Sequence, residues 1–369
     1  MNETAGRNIV VCCDGTANEF AADRTNVVKL YYALTQDRDR QITYYHPGLG
    51  TMEPPGALTS VGRRVTRVLG KAIGYGLSAD VRDSYVFIME NFRPGDRLFL
   101  FGFSRGAYTV RAVASLLKMY GLLPPGNASF VPYAIRMLTS IERGEDADNK
   151  RYFELAGEFK EAFDAAAVCK PNFVGVWDTV SSVGWITNPL ALPYTANNPD
   201  IAIGRHAVAI DERRAFFRTN LWYPSTHGPA GPKDLKQVWF PGVHADVGGG
   251  YPEGESALSK IPLTWMLDEA AAAGLLVDPV RKNRVLGLSG APYVRADPKG
   301  EIHNSLSAAW WPAELVWKKH YDRATGKTAR RMNFWRGRTI PPYSSIHVSA
   351  YQRGDEYASK LPADAVKVQ

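Results

Sequence analysis

The sequence predicts an α/β protein with a largely parallel central sheet flanked by helices, and three observations carry that expectation. Short apolar runs bounded by Gly, Pro or Asp alternate along the chain with stretches of helical spacing, the pattern of strands linked through crossover helices. The 33 Gly and 24 Pro are scattered between these runs, where they act as turn chemistry. Hydrophobic residues make up 45% and charged residues 22% of 369 residues, a balance that excludes disordered, collagen-like and coiled-coil chains.

The first strand is Asn8–Cys13, stopped by Asp14-Gly15-Thr16, and its adjacent Cys12 and Cys13 should face opposite sides of the sheet. A helix follows with Val27, Leu30, Tyr31 and Leu34 on one stripe and Thr25 as N-cap. Gln41–Tyr45 reads as a second strand. The next helix places Val81, Tyr85, Ile88 and Phe92 on one face, and Arg93-Pro-Gly-Asp96 ends it before the strand Arg97–Phe101. The helix Ala107–Met119 is apolar on nearly every side and so should be buried. Residues 123–170 form a charged helical insertion. Strands are then expected at Phe173–Trp177, His206–Ile210 and Gln237–Phe240, and a helix at 262–274 closed by a Gly cap. From 286 to 369 the pattern turns irregular and rich in Trp and Pro, which reads as a tail packed on a core of about 7–285. No linker divides the chain, so a single domain over 1–369 is expected.

The formal net charge is +7, with 44 Lys and Arg against 37 Asp and Glu. That excess favours anionic surfaces, including peripheral contact with an anionic membrane. The cations are dispersed, apart from small clusters at Arg63/Arg64/Arg67 and Lys327/Arg330/Arg331, and no nucleic-acid motif is present, so nucleic acid is not an expected partner. A solvated surface is the plainer explanation of the charge. No run reaches the ~18–20 apolar residues of a membrane helix, and no signal-peptide core precedes the first strand. Three cysteines are too few for a disulfide scaffold. The expected location is cytoplasmic, with export by a route independent of a signal peptide left open.

The strongest chemical signal is Gly102-Phe-Ser104-Arg105-Gly106, a G-x-S-x-G pentapeptide directly after an apolar strand and before a buried helix. A turn sharp enough to lift the Ser104 hydroxyl clear of the sheet strains the backbone and leaves no room for Cβ atoms at Gly102 and Gly106. The helix start favours negative charge, and the Arg105 N–H is the first oxyanion donor. A serine hydroxyl needs a base, and the base an orienting acid, in the chain order Ser, acid, His. Of seven histidines, His46 precedes the serine, His206 opens a strand at its wrong end, and His227, His303, His320 and His347 fall in irregular segments. His244 lies just past a strand in the Gly-rich loop PGVHADVGGG, and is the expected base. Asp178 and Asp211 both end strands and compete as the acid. Asp178 is favoured, with Thr179 and Ser181 beside it as hydrogen-bond partners; Asp211 runs into Glu212-Arg213-Arg214, which reads as a solvated helix start.

The Asp14-Gly15-Thr16 corner is not a D-x-D-G-T phosphotransfer loop, because Cys12 stands where the first aspartate belongs. Placed beside the serine turn, Gly15 or Thr16 would donate the second oxyanion N–H, and Asp14 would brace the loop or hold Arg105. Asp246 is a metal-ligand type without companions at suitable spacing, so no metal and no cofactor is expected. Segment 185–199 reads either as a lid or acyl-binding wall, or as a core-packing loop.

Together these segments resemble one family, the α/β-hydrolase-like domain of many uncharacterised bacterial and fungal proteins and of phospholipase effectors of type VI secretion systems. The likeness rests on CDGTAN, TNVVKL, GFSRGAYTVRA, VGVWDTV, AIDERRAFF and VWFPGVHADVGGGY, with IHVSAYQR near the end. It implies an α/β-hydrolase-like fold and a Ser104–Asp178–His244 hydrolase of carboxylic esters, with lipid or phospholipid esters as the substrate class. The other classes to weigh are a non-catalytic hydrolase-fold binding module and an esterase of a polymer or small soluble ester.

Overall fold

The computed structural model describes residues 6–15, 24–48, 65–141, 147–163, 169–180, 192–215, 217–223, 231–306, 317–321 and 328–369, with short pieces at 184–185, 188–189 and 314–315. The strands are β1 (Asn8–Cys13), β2 (Gln41–His46), β3 (Arg97–Phe103), β4 (Pro171–Trp177), β5 (Gly184–Trp185), β6 (Asn188–Pro189), β7 (Ile203–Ala209), β8 (Asp234–Phe240), β9 (Lys318–Tyr321), β10 (Thr328–Arg331), β11 (Ser345–His347) and β12 (Val366–Val368). Eight of them form one sheet in the order β2-β1-β3-β4-β7-β8-β11-β12, and every neighbouring pair in it is parallel. Two small antiparallel pairs, β5–β6 and β9–β10, stand apart from it.

A parallel sheet of this kind needs apolar cover on both faces, and β1 shows how the sequence supplies it. Ile9, Val11 and Cys13 enter one core, while Val10 and Cys12 enter the other. The first core is completed by α2 (Val65–Asn91), through Leu77, Val81, Tyr85 and Ile88, and by α3 (Arg105–Tyr120), with α4 (Val131–Ser140) and α5 (Ala147–Ala162) outside them. The second is completed by α1 (Asn26–Ala33), α7 (Lys260–Ala272) and α8 (Pro279–Val285). The short α6 (His244–Gly248) follows β8. Thr25 caps α1, accepting a hydrogen bond from Val28 N. Because α1 and α3, which leave β1 and β3, lie on opposite faces, the strand order reverses between these two parallel strands. The carboxyl ends of these two strands therefore form a topological switch point, where open α/β sheets place ligands.

Two expectations need correction. His206 does not open its strand: β7 begins at Ile203, so the histidine lies mid-strand, buried, with Nε2 accepting from Thr179 N at 3.2 Å. The segment after 285 is not merely a tail packed outside a core that ends there, because it extends the sheet by β11 and β12 and closes a third apolar cluster around Trp239 and Ile346. Strands of three residues leave no readable period, which is why the sequence pattern hides them. No helix among the described residues is long and apolar enough to cross a membrane.

Candidate active site

Ser104 is the turn residue between β3 and α3, with φ +57° and ψ −118°. A non-glycine residue in this region carries of order 1–3 kcal/mol of strain and persists only where its surroundings fix it. The fixing contacts are Ser104 N to Trp177 O at 3.1 Å and the start of α3, whose Tyr108 N reaches Ser104 O. The flanking glycines are there for space. A Cβ on Gly102 would overlap the backbone of Gly106, and one on Gly106 would overlap the carbonyl oxygens of Cys13 and Asp14. The elbow is thus packed backbone to backbone against the β1 corner.

In that corner Asp14 is buried and accepts from Thr25 Oγ1 (2.6 Å) and Tyr45 Oη (2.9 Å), bracing the turn to α1 and β2. Its other oxygen accepts from Gly15 N at 2.7 Å. The Gly15 N–H is therefore already engaged, against the expectation that it serves as an oxyanion donor. Thr16 and Ser181 lie outside the described residues. The Arg105 N–H, at the first position of α3, has no intrahelical acceptor, as helix geometry requires. The Arg105 guanidinium is pulled down to about 10 by burial, with Asp80 working the other way.

Asp178 follows β4, and His244 opens α6 after β8. His244 Nδ1 lies 2.5 Å from Asp178 Oδ2. Asp178 is fully buried, at φ +40°, and its Oδ1 also accepts from Ala209 N at 3.0 Å. The remaining partner was not legible in the sequence. Arg338 donates Nη1 to Oδ1 (2.5 Å) and Nη2 to Oδ2 (2.9 Å), while also holding the carbonyls of Ala209 (3.0 Å) and Phe217 (2.6 Å). Burial opposes ionisation of Asp178, but Arg338 and the His244 hydrogen bond outweigh it and hold the carboxyl well below the usual range. Among the described residues the buried hydroxyl of Thr179 has no hydrogen-bond partner, so it does not serve this carboxylate as expected.

His244 is buried between two rings, Phe103 from the serine elbow (centroids 4.6 Å apart) and Phe217 (4.8 Å). Its backbone N–H donates to Glu212 Oε2 at 3.2 Å. Glu212 is buried, contrary to the solvated helix start expected there, and Arg214 chelates it at 2.8–2.9 Å. Burial would raise that carboxyl, yet Arg214 brings it down to about 2. Asp211 does not contact the histidine; it accepts from Gly242 N (2.7 Å) and Tyr357 Oη (2.6 Å) and so ties the His244 loop to the chain's end. Asp246 accepts from Val243 N (2.9 Å) and His303 N (3.2 Å), with His303 Nδ1 at 2.6 Å, fixing the same loop from its other side. Among the described residues no group of three metal-ligating side chains could hold an ion.

The structure thus brings Asp178 and His244 into direct contact. Ser104 joins them at the same sheet edge through the paired strand ends Phe103 and Trp177 and through the Phe103 ring. Ser104 Oγ and His244 Nε2 are not hydrogen-bonded to each other. Such bonds commonly tighten only once substrate is held. Within segment 185–199, residues 193–198 are packed on α3, held by Arg111 Nε to Thr195 O (2.6 Å), Ser115 Oγ to Pro193 O (2.5 Å) and the carbonyl of Ala114, which accepts from Asn198 Nδ2 (3.0 Å).

Comparison with known proteins places the chain. The family described as type VI secretion (T6SS), phospholipase effector Tle1-like, catalytic domain matches residues 7–269, and the chain belongs to that family. It is 34% identical over 236 residues to the uncharacterized protein YEL023C of Saccharomyces cerevisiae, a match covering 62% of this chain and 34% of that protein. The chain therefore spans about a third of the length of that relative. Among solved structures, an uncharacterized protein from Pseudomonas aeruginosa is 20% identical with a TM-score of 0.47, covering 75% of this chain and 47% of that one. The Tle1 effector bound to the VgrG spike of the type VI secretion system is 17% identical with a TM-score of 0.34, covering 68% and 52%.

Proposed function

We propose that the chain is a serine hydrolase that cleaves the carboxylic esters of lipids, phospholipids foremost, through an acyl-enzyme on Ser104. The observation that carries the reading is the serine held at positive φ on a strand-to-helix turn, at the sheet edge where His244 meets Asp178. His244 removes the Ser104 proton as Oγ attacks the ester carbonyl. Asp178 keeps the proton of the imidazole on Nδ1 and stabilises the cation that forms. The Arg105 N–H receives the developing oxyanion, with Thr16 the remaining nominee for the second donor. Protonated His244 then releases the alcohol, and water activated by the same base cleaves the acyl-enzyme. Family membership favours lipid substrates, and the net charge of +7 favours contact with anionic bilayers.

The test compares the purified chain with Ser104→Ala on esters of graded acyl length and on phospholipid vesicles, together with fluorophosphonate labelling. Labelling and turnover are expected in the wild type and absent in the variant, with long-chain phospholipid preferred over acetyl esters. A folded Ser104→Ala protein with near-full turnover would end the assignment, and a strong preference for acetyl esters at low salt would end the lipid reading.

A further inference from the structure

Beside the Asp178–His244 pair lies a cavity of about 450 Å³, within the size range of small-molecule sites. Six arginines line it, Arg213, Arg214, Arg218, Arg331, Arg336 and Arg338, against a single carboxylate, Glu212. Two of the six are committed: Arg214 to Glu212, and Arg338 to Asp178. Among the described residues the other four have no carboxylate partner. Arg213 is held in place by its Nε–H bond to Trp335 O (2.9 Å), and the buried Nε of Arg331 has no hydrogen-bond acceptor among the described residues. Burial also lowers the Arg218 guanidinium, which marks it as partly withdrawn from water.

Four uncompensated guanidiniums around one concavity repel one another, and a cleft lined by one sign of charge concentrates counter-ions. Arginine presents a planar fork of donors that matches phosphate oxygens in pairs. Two residues of its wall touch the Asp178–His244 pair. Phe217 packs on the His244 ring, and Arg338 bonds Asp178. Leu221 and Pro341 add apolar lining.

We propose that this cavity binds a phosphate group, and that the group it takes is the phosphodiester of the ester substrate. The link to substrate rests on the hydrolase reading above; the phosphate site itself does not.

The first arm is calorimetric titration of inorganic phosphate and of glycerol 3-phosphate into four proteins: wild type, Ser104→Ala, Arg218→Gln/Arg336→Gln, and Arg330→Gln. Arg330 is an exposed cation on β10 outside the lining, so it controls for net charge. Wild type, Ser104→Ala and Arg330→Gln should bind, and the double variant should lose about tenfold or more in affinity. Arg336→Gln alone, at an exposed position, keeps the test open if the double variant does not fold. The second arm compares kcat/KM for phosphatidylglycerol with that for a diacylglycerol of the same acyl chains, both in mixed micelles. A phospholipid-to-neutral ratio about tenfold lower in the double variant assigns the site to the lipid phosphate. An unchanged ratio alongside lost phosphate binding overturns the substrate assignment and leaves a site for free phosphate. Failure of the wild type to bind either probe, or equal binding by the double variant, overturns the site. Turnover that survives Ser104→Ala ends the hydrolase reading and leaves the calorimetric result standing.

Discussion

Arg338 clamps the carboxylate of Asp178 with both terminal nitrogens, at 2.5 and 2.9 Å, from a position 160 residues further along the chain. The same guanidinium holds the carbonyls of Ala209 and Phe217, so it joins the end of β7 to the wall against which His244 packs. In the proposed mechanism Asp178 orients His244 and so needs a fixed plane, which the two Arg338 hydrogen bonds supply.

Replacing Arg338 by Met should therefore cost both stability and turnover. Removing one partner of a buried pair strands the other, at about 3–5 kcal/mol. Urea unfolding reads that loss. Because Arg338 positions Asp178 rather than substrate, the kinetic loss, about 10–100-fold, should fall on kcat more than on KM. Arg338→Lys should recover only part of it, since one ammonium cannot serve two oxygens and two carbonyls at once. If folded Arg338→Met kept its full kcat, the residue would be a structural strut and no more.

The two candidate acids separate cleanly by substitution. Asp178→Asn should reduce kcat by about 10³–10⁴, because the amide no longer selects the tautomer and cation of the base. Asp211→Ala should lose less than about tenfold in kcat while unfolding about 1–3 kcal/mol more readily, since it removes the acceptor for Gly242 N and Tyr357 Oη. Equal kinetic losses in the two variants would contradict the assignment of Asp178.

What could be read in advance was local. The apolar run Asn8–Cys13 reads as a strand whose neighbouring side chains face opposite sides of the sheet, and they do divide between two cores. The glycines around Ser104 announce a turn with no room for Cβ atoms, and the packing of Gly106 on Cys13 and Asp14 explains them. What stayed hidden depends on long-range pairing. Arg338 sits in an aperiodic stretch, and nothing near it in sequence points to Asp178. Glu212 belongs to a charged run that looks solvated until Arg214 and His244 N are seen to close around it. Gly15 is a donor candidate by sequence position alone, but its N–H turns onto its own neighbour, Asp14.

The strain at Ser104 makes a prediction about stability rather than rate. Ala in place of Ser keeps a Cβ at φ +57°, whereas Gly adopts that region freely. Ser104→Gly should therefore unfold about 1 kcal/mol less readily than Ser104→Ala, although glycine also gains freedom in the unfolded chain. Both should be catalytically silent. Thermal or urea unfolding of the pair measures the difference, and a more stable alanine variant would mean that the turn is not strained.

The pH dependence of stability sets two buried groups against each other. Burial lowers His206 to about 3, with Arg111 nearby adding to the effect, so the folded chain keeps this histidine neutral while the unfolded chain binds a proton below about 6.5. Its contribution is complete above that pH and is lost as the solution is acidified, by about 2 kcal/mol at pH 5. Burial, reinforced by Asp83 and opposed by Arg105, raises Asp80 to about 7. The folded chain therefore holds a proton there that the unfolded chain releases above about 4, and stability rises as pH falls through 7. In the wild type the two slopes oppose each other between pH 7 and pH 5. Asp80→Asn removes one of them. That variant should gain most over the wild type near pH 8, and its advantage should shrink on acidification by up to about 1.4 kcal/mol per pH unit. Denaturant midpoints taken at half-unit steps from pH 8 to pH 5 test this, and parallel curves for the two proteins would show that Asp80 is ionised in the folded state throughout.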